Sequence, residues 1–180
     1  MAPWPITWAS PLGRPGPCHL PRSAGAATTG PRGTPKRFWL VSGRVFAIVD
    51  TGPLYAAVDT DDADHARSVA ALSQAGLRLV IPALVVAETT YLVGSRLGAK
   101  IEARFLRSLR DLDVEAPTPD DWVRIAELVE RYADLPLGGT DASVIALTER
   151  LETEVVVTLD RKHFAAVRPK HVKALRLLPL

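Results

Sequence analysis

Four short apolar runs, separated by intervals long enough for helices, constrain the fold of this chain more than any single residue does. The runs are "VFAIVD" (45–50), "LRLVIP" (77–82), "VVVTLD" (155–160) and, more weakly, "KALRLL" (173–178). Near-continuous hydrophobic runs of this length, bounded by turn residues, read as strands covered on both faces. Helical periodicity fills the intervals. "DADHARSVAALSQAG" opens with acids and closes on Gly76, in keeping with the helix dipole and C-terminal capping. "PALVVAETTYLVGSRLG" reads as a more apolar helix, "AKIEARFLRSLRDL" as an amphipathic one, "TPDDWVRIAELVERYADL" as one with proline and acids in its first turn, and "GGTDASVIALTERLET" as a last helix before residue 155. Strands alternating with helices of this length imply crossover connections, hence an α/β fold on a parallel sheet.

The 180-residue length leaves room for one domain with a real core, and the alternation begins only at residue 45. Residues 1–44 hold 8 of the 15 prolines, 6 basic residues and no Asp or Glu, which leaves 16 basic and 20 acidic residues for the remainder. The overall charge of +2 therefore hides an acidic domain behind a basic leader. Its prolines interrupt both the apolar core of a secretory signal and the amphipathic helix of a transit peptide. We read residues 1–44 as a disordered extension, or as the product of an upstream start, with the true start near Val41 or Val45. The single cysteine, Cys18, excludes an internal disulfide framework and a cysteine-based zinc site. No apolar run is long enough to span a bilayer, and the expected compartment is the cytoplasm.

Two of the strand-like runs end in an aspartate. Asp50 runs directly into Gly52 and Pro53, so it either caps a turn there or stands at the carboxyl edge of the sheet, where ligands of open α/β folds bind. Asp160 ends its run in the same way. Glu88 lies at helical spacing from Leu84 and Leu92, so its carboxylate is expected to project from a buried stripe, where a charge needs a partner or a metal. A solvent-facing helix edge, or an ion pair with Arg96, is the plainer reading. Asp141 stands at a helix start, where aspartate commonly caps free amides. Capping alone does not predict all four. Converging without counter-charge, these carboxylates would repel one another, and a divalent cation bound through oxygen, magnesium or manganese, would relieve that.

The stretches "IVDTGPL", "PALVVAETTYLV", "PLGGTDASVIAL" and "VVTLDRKHF" resemble, in order and spacing, the acidic motifs of the PIN domain, and most closely those of the VapC toxins of VapBC toxin-antitoxin systems. The resemblance covers residues 45–180. It implies a three-layer α/β/α fold with a central, mainly parallel sheet of four to five strands. It also implies a metal-dependent endoribonuclease with Asp50, Glu88, Asp141 and Asp160 as the acidic quartet that binds Mg2+ or Mn2+, and with Thr158 in a supporting role. The implied partners are an RNA substrate, a DNA-binding VapB-like antitoxin and a second copy of the chain in a homodimer. Surplus apolar and arginine surface on "HARSVAALSQAG" and "AKIEARFLRSLRDL" is expected to serve those contacts.

An acidic crevice needs cations around it to hold a phosphate backbone, and Arg161, Lys162 and His163, expected in a loop after Asp160, are candidates, with "RPKHVKALR" a weaker one. A solvated charge run is the plain alternative. A phosphatase that works through a phospho-aspartate also starts from a strand ending in Asp, but resembles a DxD pattern, and here the second position is Gly52. A PIN-type binding module without activity would be expected to lack an acid of the quartet, and none is missing. A PIN nuclease of RNA processing differs from a toxin in lacking a small upstream antitoxin gene.

Because a proline-rich segment without apolar periodicity buries too little surface to offset its ordering entropy, a chain beginning at Val41 should melt and cleave like the full chain. Loss of folding or of cleavage on truncation would make the leader structural.

Overall fold

The computed structural model describes residues 44–135 and 137–179; the expected leader, up to residue 43, lies outside them. The elements follow in the order β1 (Val45–Val49), α1 (Thr51–Val58), α2 (His65–Leu72), β2 (Leu77–Pro82), α3 (Ala83–Leu97), α4 (Ala99–Ser108), a 3-10 turn (Leu109–Asp111), β3 (Asp113–Glu115), α5 (Pro119–Arg131), α6 (Gly139–Arg150), β4 (Val155–Val157), α7 (Arg161–Ala166) and β5 (Arg176–Leu178). The five strands form one sheet in the order β3-β2-β1-β4-β5, and every pairing is parallel. Helices flank this sheet in a three-layer α/β/α arrangement.

β1 lies at the centre, with Val45–Ile48 paired to Leu77–Val80 on one side and Ala47–Val49 paired to Val155–Val157 on the other. Its inner residues Ala47, Ile48 and Val49 are fully buried, as are Val156 and Val157 of β4. From β1 the chain builds outward through β2 to β3, then returns to place β4 against the free side of β1. The strand order therefore reverses between β1 and β4. Loops leaving the carboxyl ends of these two strands diverge, and a crevice opens where they part.

Several sequence expectations change in detail. Gly52 and Pro53 do not form a turn: they lie in the first turn of α1, where the missing proline N–H belongs to a group of amides that a helix leaves unpaired in any case. The run "VVVTLD" is a strand only over Val155–Val157, and Arg161–His163 begin a short helix instead of lying in a loop. β3 escapes sequence detection because its three residues, Asp113–Glu115, are largely exposed at the sheet edge and two of them are acidic. The helix expected to run to Gly76 ends at Leu72, and Gly76 takes a positive φ of 86° in the turn into β2.

The helices otherwise follow their sequence signals. Thr118 and Asp121 form a reciprocal capping box at the start of α5. α5 is tied to α6 by Arg124, whose guanidinium donates to both oxygens of Glu149 at 2.8 and 2.9 Å. The large apolar side chains exposed among the described residues are Tyr91, Leu106, Val114, Trp122, Val123 and Val129. One of them lies on α4 and none on α2, so the apolar surplus expected on α2 is not there, and the exposed patches sit on α3, α4, β3 and α5 instead. No helix of the described residues is long and apolar enough to cross a membrane.

Ile48 has no exposed surface and pairs within the central strand. Ile48→Ala should lower the unfolding free energy by about 2–5 kcal/mol, read from urea melts, because a cavity at this position has no mobile surface to collapse into. A cost below ~1 kcal/mol would show that β1 is not the centre of the core.

Candidate active site

Asp50 leaves β1 and becomes the N-cap of α1, and its surroundings go beyond what a cap requires. An N-cap carboxylate ordinarily accepts from the second or third amide of its helix, but the third residue here is Pro53, which has none. Oδ1 instead accepts from the Thr51 amide at 2.7 Å, and Oδ2 accepts from the Thr158 hydroxyl, also at 2.7 Å. The side chain is buried, with 5% of its surface exposed. Burial pushes its pKa up to about 6; the hydrogen bonds from Thr158 and Thr51 oppose this, and the charges of Asp141 and Glu88 add to it.

Those two charges belong to other elements. Asp141 is the third residue of α6, half-buried, and accepts from the Gly138 amide at 3.2 Å. It does cap its helix, as the plain sequence reading holds. Yet its pKa is raised as well, first by burial and then by Asp160 and Glu88, with the Gly138 amide and His163 acting in the opposite direction. Glu88 differs from expectation in its burial. The stripe of α3 that faces inward consists of Val85, Thr89 and Val93, and Glu88 is exposed beside it. It reaches the site from the rim, accepting from the Thr51 hydroxyl at 2.7 Å, and it forms no ion pair with Arg96 among the described residues.

Asp160 N-caps α7: Oδ1 accepts from the His163 amide at 2.9 Å, while Oδ2 lies 2.7 Å from His163 Nδ1. Thr158 joins the two strand ends. Its hydroxyl donates to Asp50 and accepts from the Asp160 amide at 2.9 Å, with 1% of the residue exposed. A hydrogen-bonded chain therefore runs from Glu88 through Thr51, Asp50 and Thr158 to the Asp160 backbone. Asp141 enters it through charge alone. Sequence reasoning missed Thr51; the signal available was a hydroxyl directly after an aspartate that opens a helix.

The basic candidates separate. Arg161 donates to the Pro179 carbonyl at 2.8 Å and is committed to the β5 end; Lys162 is exposed; His163 is drawn to Asp160. The four acids are coupled electrostatically, but among the described residues no three of them stand close enough to hold a metal ion without movement. Their donor chemistry, all carboxylate oxygen, fits a hard divalent cation, and so does the repulsion that adds to burial in raising Asp50 and Asp141.

With this geometry in view, comparison with known proteins is decisive. The family model of the PIN domain matches residues 47–169. The chain belongs to the PIN-domain family. Among curated PIN relatives, Ribonuclease VapC26 of Mycobacterium tuberculosis is 36% identical over 124 residues, which is 68% of this chain and 92% of that protein. Among solved structures, VapC20 of Mycobacterium tuberculosis, described as a Sarcin-Ricin loop cleaving toxin, has a TM-score of 0.62 at 21% identity, covering 71% of this chain and 98% of that one. VapBC2 of Rickettsia felis, bound to a DNA fragment of its promoter, has a TM-score of 0.55 at 15% identity, covering 75% of this chain and all of that one. At these identities the two structures speak for the PIN fold.

The raised pKa of Asp50 carries a stability consequence. A carboxyl at about 6 when folded and 3.8 when unfolded binds more protons in the folded state between those values, so stability falls as pH rises from about 4 through 6. Above pH 6 the charged form costs roughly 3 kcal/mol, a ceiling set by the shift itself. In chelator at pH 7.5, Asp50→Asn should therefore melt higher than wild type, and its stability should vary less between pH 4 and 6. A variant melting below wild type with the same pH profile would contradict the assigned environment of Asp50.

Proposed function

We propose that this chain is a metal-dependent endoribonuclease that acts as the toxin of a toxin-antitoxin pair. The observation that carries the reading is a buried aspartate at the sheet's switch point whose charged neighbours are other carboxylates, in a PIN domain 36% identical to a named VapC ribonuclease. Asp50 and Asp141 are assigned as direct ligands of Mg2+, or of Mn2+, with Glu88 and Asp160 completing the site directly or through water. When bound, the ion would lower the pKa of a water that attacks the scissile phosphorus and offset charge on the phosphate and the leaving oxygen.

The chain's own residues prepare that step. Thr158 and Thr51 fix both oxygens of Asp50, so the carboxylate keeps one orientation. Packing around Asp50 excludes bulk water from one side of the site, which strengthens each charge interaction there. Lys162, exposed in the first turn of α7, is the member of the basic trio best placed to meet a backbone phosphate; Arg161 and His163 would first have to leave their present partners. The partners assigned on this reading are RNA, a DNA-binding VapB-like antitoxin and a second copy of the chain, and the compartment is the cytoplasm.

Sequencing RNA 5′ ends after pulsed expression tests the activity. Wild type should create new ends at defined sites, and purified protein should cleave RNA in proportion to bound magnesium. Asp50→Asn and Asp141→Asn should each fold and yet lose roughly a hundredfold or more in cleavage, while Thr158→Val, which removes only a supporting hydroxyl, should lose about tenfold to a hundredfold. Folded Asp50→Asn protein that cleaves with the rate and metal dependence of wild type would sink the metal-site assignment. Co-expression with the small upstream neighbour should restore growth and yield a co-purifying complex; indifference to that neighbour would remove the toxin role and leave the nuclease.

A further inference from the structure

Arg96, in the last turn of α3, is exposed and takes part in none of the ion pairs among the described residues. Its guanidinium carbon stands 5.2 Å from the centre of the Tyr55 ring on α1. Tyr55 is itself fixed: it is buried, and its hydroxyl donates to Asp59 at 2.9 Å. Tyr55 also engages the guanidinium through its hydroxyl; an arginine held on a rigid aromatic side chain in this way loses little freedom when a second partner arrives, and its planar fork carries further donors for that partner.

The place of this pair matters more than its chemistry. Two side-chain contacts mark the seam between α1 and α3: the Thr51 hydroxyl donates to Glu88, and Arg96 covers Tyr55. Thr51 and Tyr55 are four residues apart and share a face of α1. On α3, Glu88 and Arg96 are eight residues apart, about 12 Å by helical rise. One end of the α1–α3 seam thus carries the acids and the other carries a cation that, among the described residues, is in no ion pair with a carboxylate. A strand whose scissile phosphate sits over the acids has its neighbouring phosphates within reach of Arg96 if it follows the seam.

The geometry points to Arg96 as a positioning residue that holds an RNA backbone phosphate at the far end of the α1–α3 seam, away from the scissile bond. This rests on the ribonuclease reading above. It adds a second phosphate contact to that of Lys162, since Arg161 and His163 are both engaged elsewhere. The plainer role for an arginine in a last helical turn is to complement the helix dipole. That role predicts no effect on RNA.

The test is the salt dependence of RNA binding. A fluorescein-labelled random-sequence RNA 12-mer is titrated by anisotropy with wild type, Arg96→Gln and Arg96→Lys, in Ca2+ and over a range of KCl, alongside cleavage of total RNA by wild type in Mg2+. Arg96→Gln should bind more weakly and lower the slope of log K against log salt by about 0.7, the value for one phosphate contact on a single strand, while Arg96→Lys keeps most of that slope. Arg96→Gln also loses the stacking on Tyr55, a weak interaction at an exposed site, so its melt should fall only slightly, and binding is compared where both proteins are fully folded. If wild type cleaves RNA but Arg96→Gln binds with the wild-type slope and affinity, the inference fails and the ribonuclease reading stands. The same holds if the variant instead loses only its antitoxin complex. If wild type neither cleaves nor binds RNA, both fall together.

Discussion

A carboxylate buried where its charged neighbours are other carboxylates is the constraint on which the rest of this structure depends. Asp50 is held by two short hydrogen bonds, and these partly offset the cost of removing it from water. They do not cancel it. The residual penalty comes first from burial and then from Asp141 and Glu88, and a divalent cation held by the proposed quartet would turn that repulsion into coordination. The fold bears this cost where it is stiffest: the two central strands deliver Asp50 and Thr158 to the same edge with nothing movable between them.

The hydroxyls make the site a unit. Without Thr51 and Thr158, four acids on four separate elements would be linked only by charge, and each could relax away from the others. With them, Glu88 on α3 and the backbone at Asp160 are both referred to Asp50. Among the described residues no three of the acids stand together as a ligand group. The hydroxyls and the His163 ring occupy carboxylate oxygens that a cation would engage, so binding would proceed by exchange of partners within a fixed frame.

The sequence made the frame legible because its strands are buried on both faces, so "VFAIV", "LRLVIP" and "VVV" announce themselves by composition alone. β5, Arg176–Leu178, shows only weakly within "KALRLL", and β3 not at all; both are short edge strands with polar members, and such strands take their identity from the partner they pair with. α1 was hidden because Gly52 and Pro53 signal a turn in isolation, and only the tertiary position of Asp50 shows that they open a helix. The four acids stand out in the sequence by residue type and place, but Glu88 lies outside the buried stripe and reaches Asp50 through Thr51. Side-chain partners such as Thr51 with Glu88, 37 positions apart, leave no trace in periodicity.

The charge of Asp50 is opposed first by burial and then by its acidic neighbours, and would be favoured by a cation. Carbon-13 NMR of its side-chain carboxyl, followed through a pH titration with and without magnesium, measures that directly. The account predicts a midpoint near pH 6 in chelator and a shift well into the acidic range when magnesium is added. A midpoint in the ordinary aspartate range that ignores magnesium would contradict it.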